Sequence, residues 1–423
     1  MRRLRCRAVA GVVAGVVGTL ALAAGARAQT AQAAPADATL ATLLQRAGAD
    51  IVDPQDAAAA QDAQAAQQPG LPALDDGMFD VSDFLLSASG FLPVVVPITE
   101  PAVGYGLGGG LAFFHDKLGV REGADGQPRF VLPSISIVGG AATENGTWGS
   151  FLGHLGVWDE GRVKYLGAGG YAAVNLDWYG EGDSLDGRKV GYENDVFFLY
   201  QRVTFQLGNG DFYLGPLYRF LSSNSSFDET SLDLGILPEQ LQSRTAGLGA
   251  VLGFDTRDQP FSPRRGLLAE ATYSQQADWL GGDFDYGKAR FTAMGYHPLG
   301  EPFVLGVRFD AITVGTDAPF YDLASLSMRG IPALRFVDDA SALIEGELRW
   351  DVAARWSLIG FGGLGRVADS FGEIDTADNQ TTIGGGFRYL IASKFGLRLG
   401  LDVARGADQT AFYVTVGTGW LRP

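Results

Sequence analysis

From residue 91 onward, apolar and polar residues alternate in runs of roughly ten, each closed by a turn signal of Gly, Asp, Asn or Pro. The clearest run lies at 344–351. Ile344, Gly346, Leu348 and Trp350 share one face of an extended chain, and Glu345, Glu347, Arg349 and Asp351 share the other. The same period of two sets Phe395, Leu397, Leu399, Leu401 and Val403 opposite Arg398, Gly400 and Asp402, and sets Phe303, Leu305, Val307 and Phe309 opposite Arg308 and Asp310. No apolar run from 91 onward approaches the roughly 20 residues of a membrane helix, and the longest, 91–98, is interrupted by Pro93 and Pro97. The water-facing side of a soluble sheet would be rich in Lys, Ser and Thr. Here the face opposite the apolar one mixes Gly with Arg, Asp and Glu. Such a face suits a crowded lumen of paired charges, and the smooth apolar faces suit lipid. A closed barrel is the only sheet that can span hydrocarbon, because every edge group must be bonded.

The pattern predicts an all-β chain, a transmembrane antiparallel barrel of about sixteen strands. The strands are expected near 92–99, 102–115, 130–142, 148–158, 162–178, 193–207, 211–223, 244–256, 266–278, 283–298, 302–314, 340–352, 355–366, 381–391, 395–405 and 410–420. With both termini in the periplasm, the connections 179–192, 224–243, 315–339 and 367–380 fall outside and are long. The turns 159–161, 208–210, 299–300, 353–354 and 393–394 fall inside and are short. Long outer loops and short inner turns are the bacterial barrel pattern; the connection 116–129 is an exception. Trp148, Trp158, Trp178, Trp279, Trp350, Trp356 and Trp420 are candidates for the aromatic girdles.

The first 90 residues read differently. Arg2, Arg3, Arg5 and Arg7 precede an Ala/Val/Gly/Leu run, and Ala26-Arg27-Ala28 is a small-x-small cleavage site. Residues 1–28 are expected to be a secretory signal peptide. Residues 29–90 begin as an Ala/Gln/Asp/Pro tract such as AAAAQDAQAAQQPG, expected to be a disordered periplasmic linker, with the barrel domain at 91–423. The only cysteine, Cys6, lies in the signal segment, which rules out a disulfide framework. The chain has 60 Gly in 423 residues, about twice the ordinary ~7%, with no collagen period. A formal charge of -16 argues against nucleic acid as a partner.

Candidate chemistry is sparse. His115, His154 and His297 are far apart in sequence, without a metal-ligand spacing, and Gly-x-Ser-x-Gly is absent. The lumenal acids Glu270, Asp310, Glu345, Glu347 and Asp402 have Lys288, Arg290, Arg308, Arg349, Arg388 and Arg398 as neighbours, so structural ion pairing accounts for them better than catalysis. No enzyme, cofactor or metal is expected.

Several stretches resemble a known family. LGFDTRDQPFSPRRGLLAEATYS (252–274) resembles the bacterial surface antigen hairpin, with Asp255, Arg257, Pro260, Pro263 and Gly266 in D-x-R-x-x-P-x-x-P-x-x-G order. MRGIPALRF (328–336) resembles the Arg-Gly signature of a long loop that folds back into the barrel. The family is the BamA/TamA outer-membrane assembly superfamily, and the resemblance covers roughly 90–423. It implies a sixteen-stranded barrel with a loop in the lumen, where Arg329 beside Gly330 pairs with the acid of the next strand, Glu347. The family's further acid falls at Gly363, so the lock has one acid fewer or borrows Glu345. The family's periplasmic POTRA domains have no counterpart in the Ala/Gln tract, so the barrel-only branch is expected. Gly106, Gly108, Gly417 and Gly419 lie near the first and last strands. They suit either a seam that opens sideways or room for lumenal bulk.

The resemblance implies a barrel of the Gram-negative outer membrane that inserts or translocates protein or lipid. Its expected partners are outer-membrane lipid including lipopolysaccharide, and unfolded outer-membrane proteins or a periplasmic protein. A passive channel is the alternative, and an outer-membrane esterase is a third reading.

Overall fold

The computed structural model describes residues 74, 76–83, 90–115, 119–122, 128–180, 188–228, 236–406 and 409–420. The expected signal peptide and most of the expected linker lie outside the described residues. Sixteen strands form one antiparallel sheet in chain order. They are β1 (Gly90–Ile98), β2 (Gly106–Phe114), β5 (Ile135–Thr143), β6 (Trp148–Trp158), β7 (Val163–Trp178), β8 (Val190–Gln206), β9 (Phe212–Phe227), β10 (Gln242–Asp255), β11 (Gly266–Gln276), β12 (Tyr286–Pro298), β13 (Phe303–Val314), β16 (Ala340–Asp351), β17 (Trp356–Ala368), β18 (Gln380–Ala392), β19 (Leu397–Gly406) and β20 (Gln409–Val416). Two hairpins lie outside this wall: β3 (Gly119–Glu122) with β4 (Pro128–Val131), and β14 (Ala324–Ser325) with β15 (Val337–Asp338). Every strand expected from the alternation is present. The long connection that departed from the loop-length pattern contains the β3–β4 hairpin.

The alternation also sorts the two faces. Ile344, Leu348 and Trp350 are exposed on the outer wall, while Glu345, Glu347 and Arg349 between them are buried. Leu401 and Val403 face out and Asp402 faces in. Inside, two arcs differ in chemistry. The arc from β1 to β6 is apolar, with Leu92, Val94, Val96, Ala112, Ile137 and Phe151 buried together. The arc from β8 to β19 carries the charges.

Five of the seven tryptophans lie exposed near strand ends, as a girdle requires: Trp148, Trp158, Trp279, Trp350 and Trp356. Trp178 and Trp420 depart from that expectation and are buried. Trp178 packs edge-on to Phe320 of the long 315–339 loop. Trp420 follows Gly417, whose positive φ of 74° turns the chain end inward, and it packs against Met294 and Tyr296.

Residues 76–83 fall within the stretch expected as linker, yet they are held on the wall. Val81 N–H donates to Ile391 O, and Arg355 binds both Asp76 and Asp80. Ion pairing to a buried guanidinium fixes this acidic stretch.

Ile344 sits near the middle of its strand on the outer wall. Ile344→Arg is expected to cost roughly 2–4 kcal/mol, read as a lower urea midpoint for the barrel folded in lipid vesicles, whereas Ile344→Leu leaves the midpoint unchanged.

Candidate functional site

The 315–339 loop does not project outward. It enters the lumen and buries Phe320, Tyr321, Leu326, Met328, Ile331 and Phe336. Ile331 joins a small cluster with Leu326, Met328, Phe336 and Leu343. The loop base is tied by Asp322, whose carboxylate meets Arg219 at 2.5 Å, Lys288 at 2.7 Å and the Tyr286 hydroxyl at 2.5 Å. Three donors around one buried carboxylate compensate its lost hydration. Sequence reasoning missed Asp322, because nothing local separates it from a solvated loop acid.

The loop tip is Arg329-Gly330. Arg329 Nη1 donates to Asp402 Oδ2 at 2.9 Å. Its Nη2 stands 2.8 Å from Glu347 Oε2, an ion contact without hydrogen-bond alignment. The guanidinium lies 3.5 Å from the centroid of the Phe361 ring, a cation–π contact in a site closed to water. Asp402 also accepts a two-pronged pair from Arg388 at 2.6 and 2.9 Å and a hydrogen bond from Thr415 at 3.2 Å. Gly330 N–H donates to the Tyr413 hydroxyl at 2.9 Å. Gly330 has φ +93°, and a Cβ there would meet Gly406 N at 2.9 Å, so the tip's approach to β19 demands glycine. The tip is therefore seated on β19 and β20, the last two strands.

Glu345 does not supply the missing acid. It binds Arg308 at 2.7 Å, and Arg308 also meets Asp310 at 2.9 Å. The second carboxylate at Arg329 is Asp402. Its lumenal position was legible from alternation, but its closeness to residue 329 was not. The missing acid at Gly363 also has a packing reason. A Cβ at 363 would stand 2.8 Å from Glu345 Cγ and 3.2 Å from Met328 Sδ.

The hairpin residues are brought together at the other rim. Arg257 grips Asp255 with two bonds of 3.0 Å and reaches Pro260 O at 3.5 Å. Gly266 has φ +105°, and a Cβ there would meet Arg257 Cα at 2.7 Å. Pro263 O accepts from Arg349, and Arg264 meets Asp351 at 2.5 Å, which fastens this turn to β16.

Of the four seam glycines, Gly106 and Gly108 lie in β2, one strand in from the edge, where they pair with Ile98 and Val96. Gly419 lies against Arg329, with the site of its Cβ only 2.5 Å from Nη1, so this glycine makes room for the loop tip. The edge itself has a different signature. No ladder joins β1 to β20 among the described residues, and the two strands only touch. β1 keeps register with β2 over its whole length. Proline sits in sheets only where its nitrogen faces away from the bonded neighbour. Pro93 and Pro97 are an even number of residues apart, so both face the free edge and leave it short of donors.

The histidines gave one surprise. His115 Nε2 and His154 Nδ1 both contact Ser136 Oγ, at 2.7 and 2.8 Å. The cluster sits on the outer wall beside Trp158 and Tyr165, as girdle residues do. No carboxylate is bonded to either ring among the described contacts, so the pair lacks the acid that orients a hydrolytic histidine.

Residues 193–325 match the Omp85 superfamily domain. Two solved barrels share the architecture. BamA from Haemophilus ducreyi lacking POTRA domains 1–3 has 14% identity and a TM-score of 0.51, over 77% of this chain and 69% of that one. CdiB from Escherichia coli has 12% identity and a TM-score of 0.52, over 78% of this chain and 60% of that one. The chain thus spans less than two thirds of CdiB. No curated protein sequence matches it.

Two outcomes follow for this lumen. In a planar bilayer the wild-type barrel is expected to stay closed, and Arg329→Ala is expected to flicker open; a large, steady conductance untouched by the substitution would remove the loop lock. Gly363→Asp, which restores the family's acid, is expected to destabilise by about 1–3 kcal/mol through overpacking, read as a lower urea midpoint.

Proposed function

We propose that this Omp85-type barrel resides in the outer membrane of a Gram-negative bacterium and inserts or translocates protein or lipid through the junction of β1 and β20. One observation carries the reading: this is the single junction of the wall without a ladder among the described residues. Pro93 and Pro97 blunt the β1 side against pairing, whereas β20, laddered only to β19, keeps backbone groups that can pair with an incoming strand, and the Arg329-Gly330 tip bears on β19 and β20. The proposed clients are unfolded outer-membrane proteins, and the proposed lipid neighbours include lipopolysaccharide. Fold likeness gives function only by analogy, so the junction itself has to be tested. The charged arc of the lumen favours a passive channel as the second reading; the buried loop that fills it opposes that reading.

The test joins Val95→Cys and Phe412→Cys, both exposed on the outer wall, with a cleavable bis-maleimide. In vesicles holding the purified barrel, an unfolded outer-membrane protein is expected to insert faster than into empty vesicles. The gain is expected to vanish with the staple and return when it is cleaved. Equal insertion with and without the staple would sink a lateral route.

A further inference from the structure

Where β20 ends, the wall is incomplete. After Val416 the chain turns inward toward Trp420, and no ladder joins β20 to β1 among the described residues. The segment 76–83 shares an apolar cluster with both strands of this junction. Its Val81 is buried in one apolar cluster with Leu92, Val94 and Val96 of β1, with Ile391, Ala392, Phe395 and Leu397 around the β18–β19 turn, and with Val416 of β20. Both sides of the junction thus meet around this segment.

The polar side of the segment is anchored with unusual completeness. Arg355, in the turn between β16 and β17, is only 1% exposed. Its Nε and Nη2 hold the two oxygens of Asp76 at 2.5 and 2.7 Å, and its Nη1 holds Asp80 at 2.9 Å. Leu74 O and Phe79 O accept from the same guanidinium at 3.1 and 3.3 Å. The Tyr389 hydroxyl donates to Phe79 O at 2.7 Å, Ser393 N–H donates to Asp80, and Lys394 N–H donates to Ser82 Oγ at 3.1 Å. Lys394 Nζ pairs with Asp83 at 2.7 Å. A surface ion pair alone would contribute little. Here a planar fork is matched on every side by carboxylates and carbonyls, a geometry that lysine cannot reproduce. Hydrogen bonding from Arg355 lowers the Asp76 carboxyl below its ordinary 3.8. Burial pushes Asp80 up, but bonds from Ser393, Ser82 and Arg355 outweigh it and hold it lower. Depressed carboxyls hold their partner at neutral pH and release it only as pH falls below their ordinary value.

We propose that residues 76–83 are a latch, clamped on Arg355, that closes the lower end of the β1–β20 junction in place of the missing strand pairing. Only 84–89 separate the latch from β1, so its release frees the start of that strand. The chain before residue 74 is thereby attached where a pull on it would open the junction. This inference rests on the lateral reading above and adds the element that controls it.

The test uses the full chain with Cys6 replaced and spin labels at two places. A label at Met78→Cys reports the latch, and a pair at Val95→Cys and Phe412→Cys reports the junction. Asp76→Asn/Asp80→Asn and, separately, Arg355→Gln are compared with the parent, with heat-modifiable gel mobility confirming a folded barrel. The latch label is expected to lose its immobilised component in both variants. The junction distance distribution, narrow in the parent, is expected to broaden. A freed latch label with an unchanged junction would reduce the segment to a surface anchor, and a label still immobile in both variants would remove Arg355 as its clamp. A broadened junction without faster client insertion would uphold the latch while sinking the insertion reading, so the two fail separately.

Discussion

A sheet immersed in hydrocarbon must bond every edge group, and this demand organises the whole molecule. Strand lengths, the outward apolar faces and the pairing of the lumenal charges follow from closing sixteen strands around a filled interior. Among the described residues the demand is met by ladders at each junction except that of β1 and β20. There the prolines of β1 withhold donors, and side chains replace backbone bonds. The weakest part of the wall is therefore set by covalent chemistry, since a proline nitrogen cannot donate however the strands shift.

Closing the barrel creates the second problem, a lumen with many charges and little water. The chain solves it by importing polypeptide. The 315–339 loop enters from one rim, and the 256–265 turn covers the other, each fastened by arginine–carboxylate contacts. Asp402 shows how concentrated this arrangement is, because one carboxylate receives Arg388, Arg329 and Thr415. Taking away one partner would leave buried charge uncompensated, which costs more than the pair contributes. The same carboxylate links the loop tip to the strands beside the weak junction, so loop position and edge geometry are coupled through contiguous contacts.

Glycine serves these constraints at particular points. Gly330 supplies a left-handed turn against β19, and Gly419 leaves space for a guanidinium. Neither supports the idea that glycine itself loosens the edge strands. In β1 the edge is made by prolines, and the glycines that looked like a seam lie in β2, which is bonded on both sides.

Much of the fold was legible in the sequence because strand periodicity is a local property. One residue in two faces lipid, so the alternation of Ile344, Leu348 and Trp350 with Glu345, Glu347 and Arg349 reports the wall directly. Motif order also marked Arg329 and Glu347 before any contact was known. Partnership across the lumen was not legible, because it depends on which strands curve to face one another. Asp402 lies 73 residues from Arg329, and Asp80 lies 275 residues from Arg355. The sequence by itself determined strand number, facing and the arginine at the loop tip. Only the tertiary structure decided which carboxylates meet that arginine, that an acidic stretch beside the Ala/Gln tract is clamped to the rim, and that the last tryptophan turns inward. Barrel closure brings together residues whose local patterns carry no record of each other.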